Sequence, residues 1–225
     1  LVQNILRMGA DLRTDWSQTT TPHAATARGF DPEQLRLYAE VSVVPDRLEL
    51  YVDEALAPGA QNMEAYVRYG SAAGWYLKVG QFYLPFGWRL QDNTAFVRQA
   101  TGINMTAPDR GVELGYERSR WGTHLALTNG AGSTQSGKDY QVMGQIQRVQ
   151  DAWRIGAAAA ATRSDAGDRR MAGLFAGLRT GPLVWLGEAD VIRQQGFTDG
   201  AHTSVAGLAE VNWAIARGHN LKLTA

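Results

Sequence analysis

The chain has 225 residues, and its 22 basic side chains balance 22 acidic ones, so the formal net charge at neutral pH is zero. No global field draws such a chain toward nucleic acid. It contains no cysteine, which excludes disulfides and thiolate metal sites. The longest uncharged apolar run, Ile155 to Ala161, is far shorter than the roughly 20 residues of a membrane-spanning helix.

Alternating apolar and polar residues predict β-strands along most of the sequence. In one clear example, Leu48, Leu50 and Val52 alternate with polar or charged side chains. A period of two with one apolar face is typical of a sheet that meets water on one side only. In chain order, the predicted strands are 4–15, 34–44, 47–56, 62–70, 75–84, 111–119, 121–129, 139–149, 152–163, 169–180, 182–193, 202–216 and 219–225.

The connections between these strands differ in length in a regular way. Those after even-numbered strands are tight turns, such as Pro45-Asp46 and Gly181-Pro182. Those after odd-numbered strands are longer, apart from the 164–168 connection: 16–33, 57–61, 85–110, 130–138 and 194–201. Short turns at one rim and long loops at the other are typical of a bacterial outer-membrane β-barrel, whose short turns are periplasmic.

Several tryptophans lie close to the short turns. Indoles gathered at one rim indicate an aromatic girdle at a membrane interface. The predicted girdle residues are Trp75, Trp121, Trp153, Trp185 and Trp213. The alternative is that they are core residues of a soluble β-sandwich, but that fold needs Greek-key crossovers instead of successive hairpins and does not explain the loop asymmetry.

Charged side chains fall on the polar face of the predicted strands. An Arg or Lys in the middle of a bilayer costs about 2–4 kcal/mol, so this face is expected to line a water-filled lumen. The lumen-lining candidates are Arg36, Glu40, Glu49, Asp53, Glu64, Arg68, Lys78, Glu113, Arg154, Glu188 and Asp190. A barrel of this size has a lumen too wide for side chains alone to fill, which predicts a pore.

The segment 152–163 is the least strand-like, because Gly156 and the five alanines after it favour a helix. Its place in the succession of hairpins nevertheless predicts a strand. Residues 172–178 are similarly small. Small lumen-facing side chains on two neighbouring strands would leave room for something folded inside.

Residues 85–110 form a long connection in an otherwise tight pattern, and such loops are usually functional or disordered. This one is too apolar for a disordered tail, since it contains Trp88, Phe96 and Ile103. We expect it to fold into the lumen and narrow the channel; the alternative is packing on the outer surface or against a neighbouring subunit. The candidates for the pore constriction are Arg89, Asp92, Arg98, Asp109 and Arg110. Their charges sum to plus one, which predicts at most a weak anion preference.

Residues 79–87, Val-Gly-Gln-Phe-Tyr-Leu-Pro-Phe-Gly, end one strand, and residues 109–114, Asp-Arg-Gly-Val-Glu-Leu, open the next. This stretch of about 40 residues resembles the phosphate-selective porin O and P family and related bacterial porins. In that family a strand ending in Gly-x-Phe-x-x-Pro-Phe-Gly runs into a long loop, and an Arg-Gly pair opens the next strand. The resemblance implies sixteen-stranded trimers that pass small anions or other solutes. This sequence departs from the family because no ladder of basic residues follows one wall.

Motifs of two other functions are incomplete. Residues 132–138 have the spacing of a phosphate-binding P-loop, but Asp139 stands where Ser or Thr would hold magnesium, and a strand follows instead of a helix. The four histidines never pair at metal-ligand spacing. His124 could act as the base of a barrel hydrolase only with a serine or carboxylate beside it. We therefore expect no enzyme, no metal and no cofactor.

The sequence thus predicts an all-β protein: a transmembrane antiparallel up-and-down β-barrel with about 13 strands in residues 1–225 and about 14–18 when complete. Bacterial single-chain barrels close with even strand numbers, so we expect one domain, truncated at both ends. The predicted function is an outer-membrane porin that contacts lipid, forms a homotrimer and passes small hydrophilic solutes or ions by diffusion. The alternative is a scaffold barrel that sheathes a lumen-bound or periplasmic partner, such as a multihaem cytochrome or a lipoprotein.

Overall fold

The computed structural model describes residues 5–19, 27–88, 95–104, 107–130, 139–165, 167–196 and 200–225. These residues form thirteen β-strands and one short helix. The strands are β1 (Leu6–Thr19), β2 (Ala27–Val44), β3 (Leu48–Ala57), β4 (Gln61–Gly70), β5 (Trp75–Phe82), β6 (Asp109–Arg118), β7 (Trp121–Thr128), β8 (Tyr140–Val149), β9 (Trp153–Ser164), β10 (Gly167–Thr180), β11 (Leu183–Gln195), β12 (His202–Ala216) and β13 (His219–Thr224). The helix, α1, is Phe96–Thr101. Within the ranges given above, no helix has the length and apolarity needed to cross a membrane.

All of these strands belong to one sheet, in which each strand pairs with its neighbours in the sequence. Every pair is antiparallel. No crossover interrupts the order of the described strands, and β1 and β13 form the two edges of the sheet. The predicted succession of hairpins, and with it the all-β up-and-down architecture, is confirmed. A sandwich with Greek-key crossovers is not compatible with this order.

The two faces of the sheet differ in burial and in chemistry. In β7 burial alternates at every residue, with His124 and Ala126 buried while Leu125 and Leu127 are about half exposed. We call the buried face the inward face and the other the outward face. The inward face carries charged groups such as Glu113, whereas large apolar side chains dominate the outward face. This is the reverse of a soluble protein, which exposes only small apolar patches, and it fits a sheet with lipid on its outward side.

β9 confirms the strand predicted for the alanine-rich segment. It pairs with β8 on one side and with β10 on the other. Ala158 and Ala160 are buried on the inward face, while Ala159 and Ala161, which alternate with them, are exposed. Pairing on both sides overrides the helix propensity of alanine, because propensities differ by less than about 1 kcal/mol per residue.

The predicted loop 16–33 is wrong in its extent, because β1 continues to Thr19 and β2 begins at Ala27. Residues 20–26 lie outside the described ranges. The two strands shift their register by one residue at a β-bulge beside Pro32. A bulge shifts the alternation of apolar and polar residues by one position. A proline usually argues against a strand, although proline is tolerated at a bulge. Both effects hide the strand extensions from the sequence pattern.

The tryptophans of the predicted girdle all lie on the outward face near the short turns, with exposed fractions between 39% and 51%. The ring of Trp75 lies 4.6 Å from that of Tyr116. Trp185 donates its indole hydrogen to Thr180 Oγ1 at 3.0 Å. Half-exposed indoles with one polar group suit a boundary between lipid and water.

We expect the two faces to differ in their tolerance of an added charge. Leu125→Arg puts a cation in the middle of the outward face of β7 and should cost about 2–4 kcal/mol of folding free energy in lipid vesicles. The control is Ser42→Arg, since Ser42 lies on the inward face of β2 beside Glu40 and Glu49. Denaturant titration of both variants in vesicles measures the difference. Equal losses in the two variants would contradict the assignment of the faces.

Candidate functional site

The chain between β5 and β6 lies against the inward face of the sheet. We call residues 83–88 and 95–104 of this connection the inner segment. Leu84, Phe86 and Ile103 of this segment are at most 5% exposed. They form one apolar cluster with inward residues of the sheet: Ala126, Met143, Ala158, Ala160, Met171 and Ile192. The small side chains on β7 and β9 therefore leave the space that the inner segment fills.

Trp88 fixes the inner segment to β10 and β11. Its indole N–H donates to the carbonyl oxygen of Gly187 at 3.0 Å. Its ring packs edge-on against Phe175, with ring centres 5.3 Å apart, and the Arg154 guanidinium lies 4.7 Å from the Trp88 ring centre. Gly177 leaves room for the indole, because a Cβ at that position would lie only 2.9 Å from it. These strands thus present a fitted surface for one aromatic side chain.

Gly87 lets the chain approach β11 closely. Its φ of +58° lies in the left-handed region that favours glycine, and a side chain at this position would overlap the carboxylate of Glu188. The carbonyl oxygen of Gly87 accepts a hydrogen bond from Gln145 Nε2 at 2.9 Å. The next backbone N–H, that of Trp88, donates to Glu188 Oε2 at 3.1 Å. A larger residue at position 87 would push the inner segment away from the sheet.

A buried ion pair holds α1. Arg98 Nη2 donates to Glu188 Oε2 at 2.6 Å, and Nη1 donates to Oε1 at 3.3 Å. Both side chains are almost completely buried, so removal of either partner would leave an uncompensated charge in a poorly solvated place. Glu188 also accepts the Trp88 N–H described above. It is therefore a point at which both described parts of the inner segment bind the sheet.

Asp190 is the next inward residue of β11 and is fully buried. Neither of its carboxylate oxygens has a hydrogen-bond partner within the described part of the chain. Glu188 and Arg98 are the charged groups that act on it. On the same side of α1, Val97 packs in an apolar cluster with Leu208 of β12. Two carboxylates thus lie beneath the helix, and the Arg98 guanidinium forms its hydrogen bonds with Glu188.

The opposite half of the inward face is less covered, because α1 contacts β11 and β12 instead. We call this half the open wall, and its side chains are half-buried except for that of Asp53. Its residues, on β2 to β4, are Arg36, Glu40, Glu49, Tyr51, Asp53, Glu64, Tyr66 and Arg68. Arg36 pairs with Asp53, and Arg68 Nη1 lies 3.1 Å from Glu49 Oε2. Both arginines of the open wall are therefore neutralised locally.

His124 lies in a buried polar cluster on β5 to β7. Tyr76 Oη lies 2.8 Å from His124 Nδ1, and Lys78 Nζ lies 3.4 Å from Glu113 Oε1. The same oxygen of Glu113 is 3.5 Å from His124 Nδ1, so a carboxylate does stand beside the histidine. All four side chains are less than a tenth exposed. Over the described ranges, no group of three or more His, Asp or Glu side chains could hold a metal ion.

The structure separates the predicted constriction residues. Arg89 and Asp92 lie outside the described ranges, and Arg98 is the buried partner of the ion pair under α1. Asp109 and Arg110 are successive residues of β6, so alternation turns them to opposite faces. Asp109 is buried on the inward face, whereas Arg110 is exposed on the outward one. Arg110 therefore does not belong to a constriction on the inward face.

All of the predicted lumen-lining residues lie on the inward face, where they are buried or half-buried. Sequence reasoning did not find the pairing of Arg98 with Glu188, because the two residues are 90 positions apart and no local pattern connects them. The available signal was Gly87, which ends an apolar run at the start of the loop. A glycine there indicates a close approach of the backbone to another part of the protein.

No family model and no curated protein matches the sequence. Solved structures do match it. OmpF of Salmonella typhi, solved in complex with daunomycin, is 9% identical, and the alignment covers 97% of this chain and 88% of that chain with a TM-score of 0.54. The trimer form of OmpT, an outer membrane protein of Vibrio cholerae, is also 9% identical, with 96% and 86% covered and a TM-score of 0.51. The chain therefore has the fold of a bacterial outer-membrane β-barrel, in which antiparallel strands run up and down across the membrane.

We expect Glu188→Gln to release the inner segment from β11. Loss of the carboxylate charge leaves Arg98 buried without its partner, a change that typically costs about 3–5 kcal/mol. Amide hydrogen exchange in α1 should accelerate by about 100-fold or more. The exchange rate of residues 95–104, measured by mass spectrometry in the variant and in the unmodified protein, tests this expectation.

The matched control is Glu117→Gln. Glu117 also lies on the inward face, in β6, and its side chain is 53% exposed. Its charged neighbours are His124 at 3.9 Å and Arg68 at 4.0 Å, so its removal breaks no close buried ion pair. Exchange in α1 should not change in this variant. If amide exchange in α1 is as slow in Glu188→Gln as in the unmodified protein, the ion pair does not hold the helix.

Proposed function

We propose that the protein is a porin of the bacterial outer membrane, through which small hydrophilic solutes or ions diffuse passively. The observation that carries this proposal is the chemistry of the two faces. Charged residues such as Lys78 and Glu113 lie on the inward face, and leucines and tryptophans lie on the outward face. Only a sheet with water inside and lipid outside satisfies both faces. The fold shared with OmpF and OmpT supports the location in the bacterial outer membrane.

In this proposal the pore lies between the inner segment and the open wall. Most of the inner segment covers the inward face from β7 to β12. Tyr83, at its start, contacts Arg36 and Glu64 of the open wall, so solutes pass along the rest of that wall, on β2 to β4. Phe96 of α1 is 66% exposed, whereas Val97 and Arg98 of the same helix are buried. A folded segment inside a barrel narrows its lumen, and the size of the remaining passage limits which solutes can cross.

The pore is proposed to select weakly between cations and anions. The arginines of the open wall are each paired with a carboxylate, and Arg98 is neutralised by Glu188. Arg110 lies on the outward face. The charges that predicted a weak anion preference are therefore not gathered at one place in the pore, and mixed paired charges produce little net field.

A scaffold barrel around a partner protein is less well supported. The scaffold hypothesis depended on space left in the lumen by small inward residues, such as Ala158 and Ala160. These alanines form a cluster with Leu84 and Phe86 of the same chain. The inner segment thus occupies the space that a partner would need beside β9.

We further propose that the protein forms a homotrimer, as the OmpT structure does in its trimer form. The narrower resemblance to the phosphate-selective porin O and P family depends on residues 79–87, which lie at the end of β5 and the start of the inner segment. Phosphate selectivity is not part of the proposal, because phosphate recognition needs arginines or lysines that are not already neutralised.

Removal of the part of the inner segment that contains α1 should widen the pore. We expect a deletion of residues 90–106, which eliminates α1, to raise the single-channel conductance in a planar bilayer by about twofold or more. A deletion of residues 132–137 shortens a different connection and should leave the conductance unchanged. If the first deletion also leaves the conductance unchanged, the inner segment does not limit the pore.

The paired charges of the open wall predict a reversal potential near zero in a tenfold KCl gradient, far from the roughly 59 mV of an ideally selective pore. Asp53→Asn leaves Arg36 without its carboxylate and should shift the reversal potential toward that of an anion-selective pore. Asp151→Asn removes the same charge from an exposed turn at the rim and is the control. Strong anion selectivity of the unmodified protein would contradict the proposal.

A further inference from the structure

We propose that the outward face at the rim of short turns binds the phosphate group of an anionic phospholipid. The binding groups are Arg118 and Arg148, which flank the indole of Trp121. The proposal concerns the lipid-facing surface and not the pore, but it rests on the proposed location in the membrane.

The three side chains form a row across neighbouring strands. Arg118 of β6 is opposite Trp121 of β7, and Trp121 is opposite Arg148 of β8. All three are exposed on the outward face. Neighbouring strands lie about 4.8 Å apart, so the Cα atoms of the two arginines are separated by about 10 Å. Two long side chains at this separation can both reach one phosphodiester lying over the indole.

Arg148 is held in place by aromatic rings. Its guanidinium lies 5.3 Å from the ring centre of Trp121 and 6.0 Å from that of Trp153. Cation–π contacts of this kind restrict the side chain without using its N–H donors. The planar guanidinium therefore remains available for paired hydrogen bonds to phosphate oxygens, a geometry that arginine favours.

The positive charge of this row is not neutralised by neighbouring carboxylates of the sheet. Among the described residues, neither Arg118 nor Arg148 forms an ion pair with a carboxylate, whereas Arg120 in the adjacent turn lies 3.8 Å from Asp151. Two cations without counter-charges on an outward face would be unfavourable in the hydrocarbon interior. At the level of the lipid headgroups they are favourable, because anionic lipids supply the missing negative charge.

A shallow surface depression of about 570 Å³ includes part of this row on the same face. It is lined by Tyr116, Arg118, Ser119, Trp121, Thr123 and Ile146. One end is polar and lies at the turn, while apolar outward residues such as Leu114 and Leu125 continue from it toward the middle of the strands. A lipid headgroup fits the polar end, and its acyl chains follow the apolar one.

The test is native mass spectrometry of the full chain, released from bilayers that contain equal amounts of phosphatidylglycerol and phosphatidylcholine. We expect retained phosphatidylglycerol to exceed phosphatidylcholine by about tenfold, as two interfacial arginines imply. In Arg118→Gln/Arg148→Gln the excess should fall to about twofold or less. Trp121→Leu keeps both charges and should reduce the excess only in part. Circular dichroism establishes that each variant folds.

The control variant is Arg170→Gln/Arg193→Gln, which removes two outward arginines that are opposite each other on β10 and β11, near the other rim. It should keep the preference for phosphatidylglycerol. No preference in the unmodified protein, or an equal loss in the control, would overturn the proposal. Displacement of the lipid by millimolar inorganic phosphate would also overturn it, because the site would then bind a small anion and not a lipid.

Single-channel conductance of the same preparations separates this proposal from the proposed function. Conductance without a lipid preference overturns the lipid site and leaves the porin proposal intact. A lipid preference without conductance supports the lipid site and overturns the porin proposal.

Discussion

Each strand of this sheet presents one chemistry to lipid and another to water, and the other features of the structure depend on that division. Backbone polar groups cannot remain unpaired in hydrocarbon. Each strand from β2 to β12 accordingly pairs on both sides, and most irregular connections gather at the rims. The period of two then assigns each side chain to one face. Leucines on β6 and β7 are acceptable only because lipid surrounds them, and Lys78 and Glu113 are acceptable only because they point the other way.

The same division explains where the apolar core lies. In a soluble sandwich the core forms between two sheets, whereas here it forms between the inward face and the chain's own inner segment. Small residues on β7 and β9 create the space, and Gly87 lets the backbone enter it. Glu188 then fixes the segment through Trp88 and Arg98. Buried ion pairs often add little net stability, but they penalise every arrangement that leaves one partner alone. The pair under α1 thus defines a position for the helix more than it stabilises the fold.

The sequence alone predicts the features that depend on neighbouring residues. The strands, their faces and the outward tryptophans follow from alternation over a few positions. Two local errors have physical causes: the bulge beside Pro32 changes the phase of β2, and alternation carries Arg110 away from Asp109. The contact between Arg98 and Glu188 is different in kind, because it joins segments 90 residues apart that meet only after the sheet has formed. No periodicity encodes such a contact, and the row of Arg118, Trp121 and Arg148 likewise exists only through strand register.

The most direct test of this account uses the absence of cysteine from the chain, since single cysteines can be introduced along β3 without background labelling. With the protein in lipid bilayers, a charged, water-soluble thiol reagent should label Glu49→Cys and Tyr51→Cys on the open wall. It should not label Leu50→Cys and Val52→Cys on the outward face. Labelling that ignores the alternation, or that favours the outward positions, would contradict the claim that water lies inside this sheet and lipid outside it.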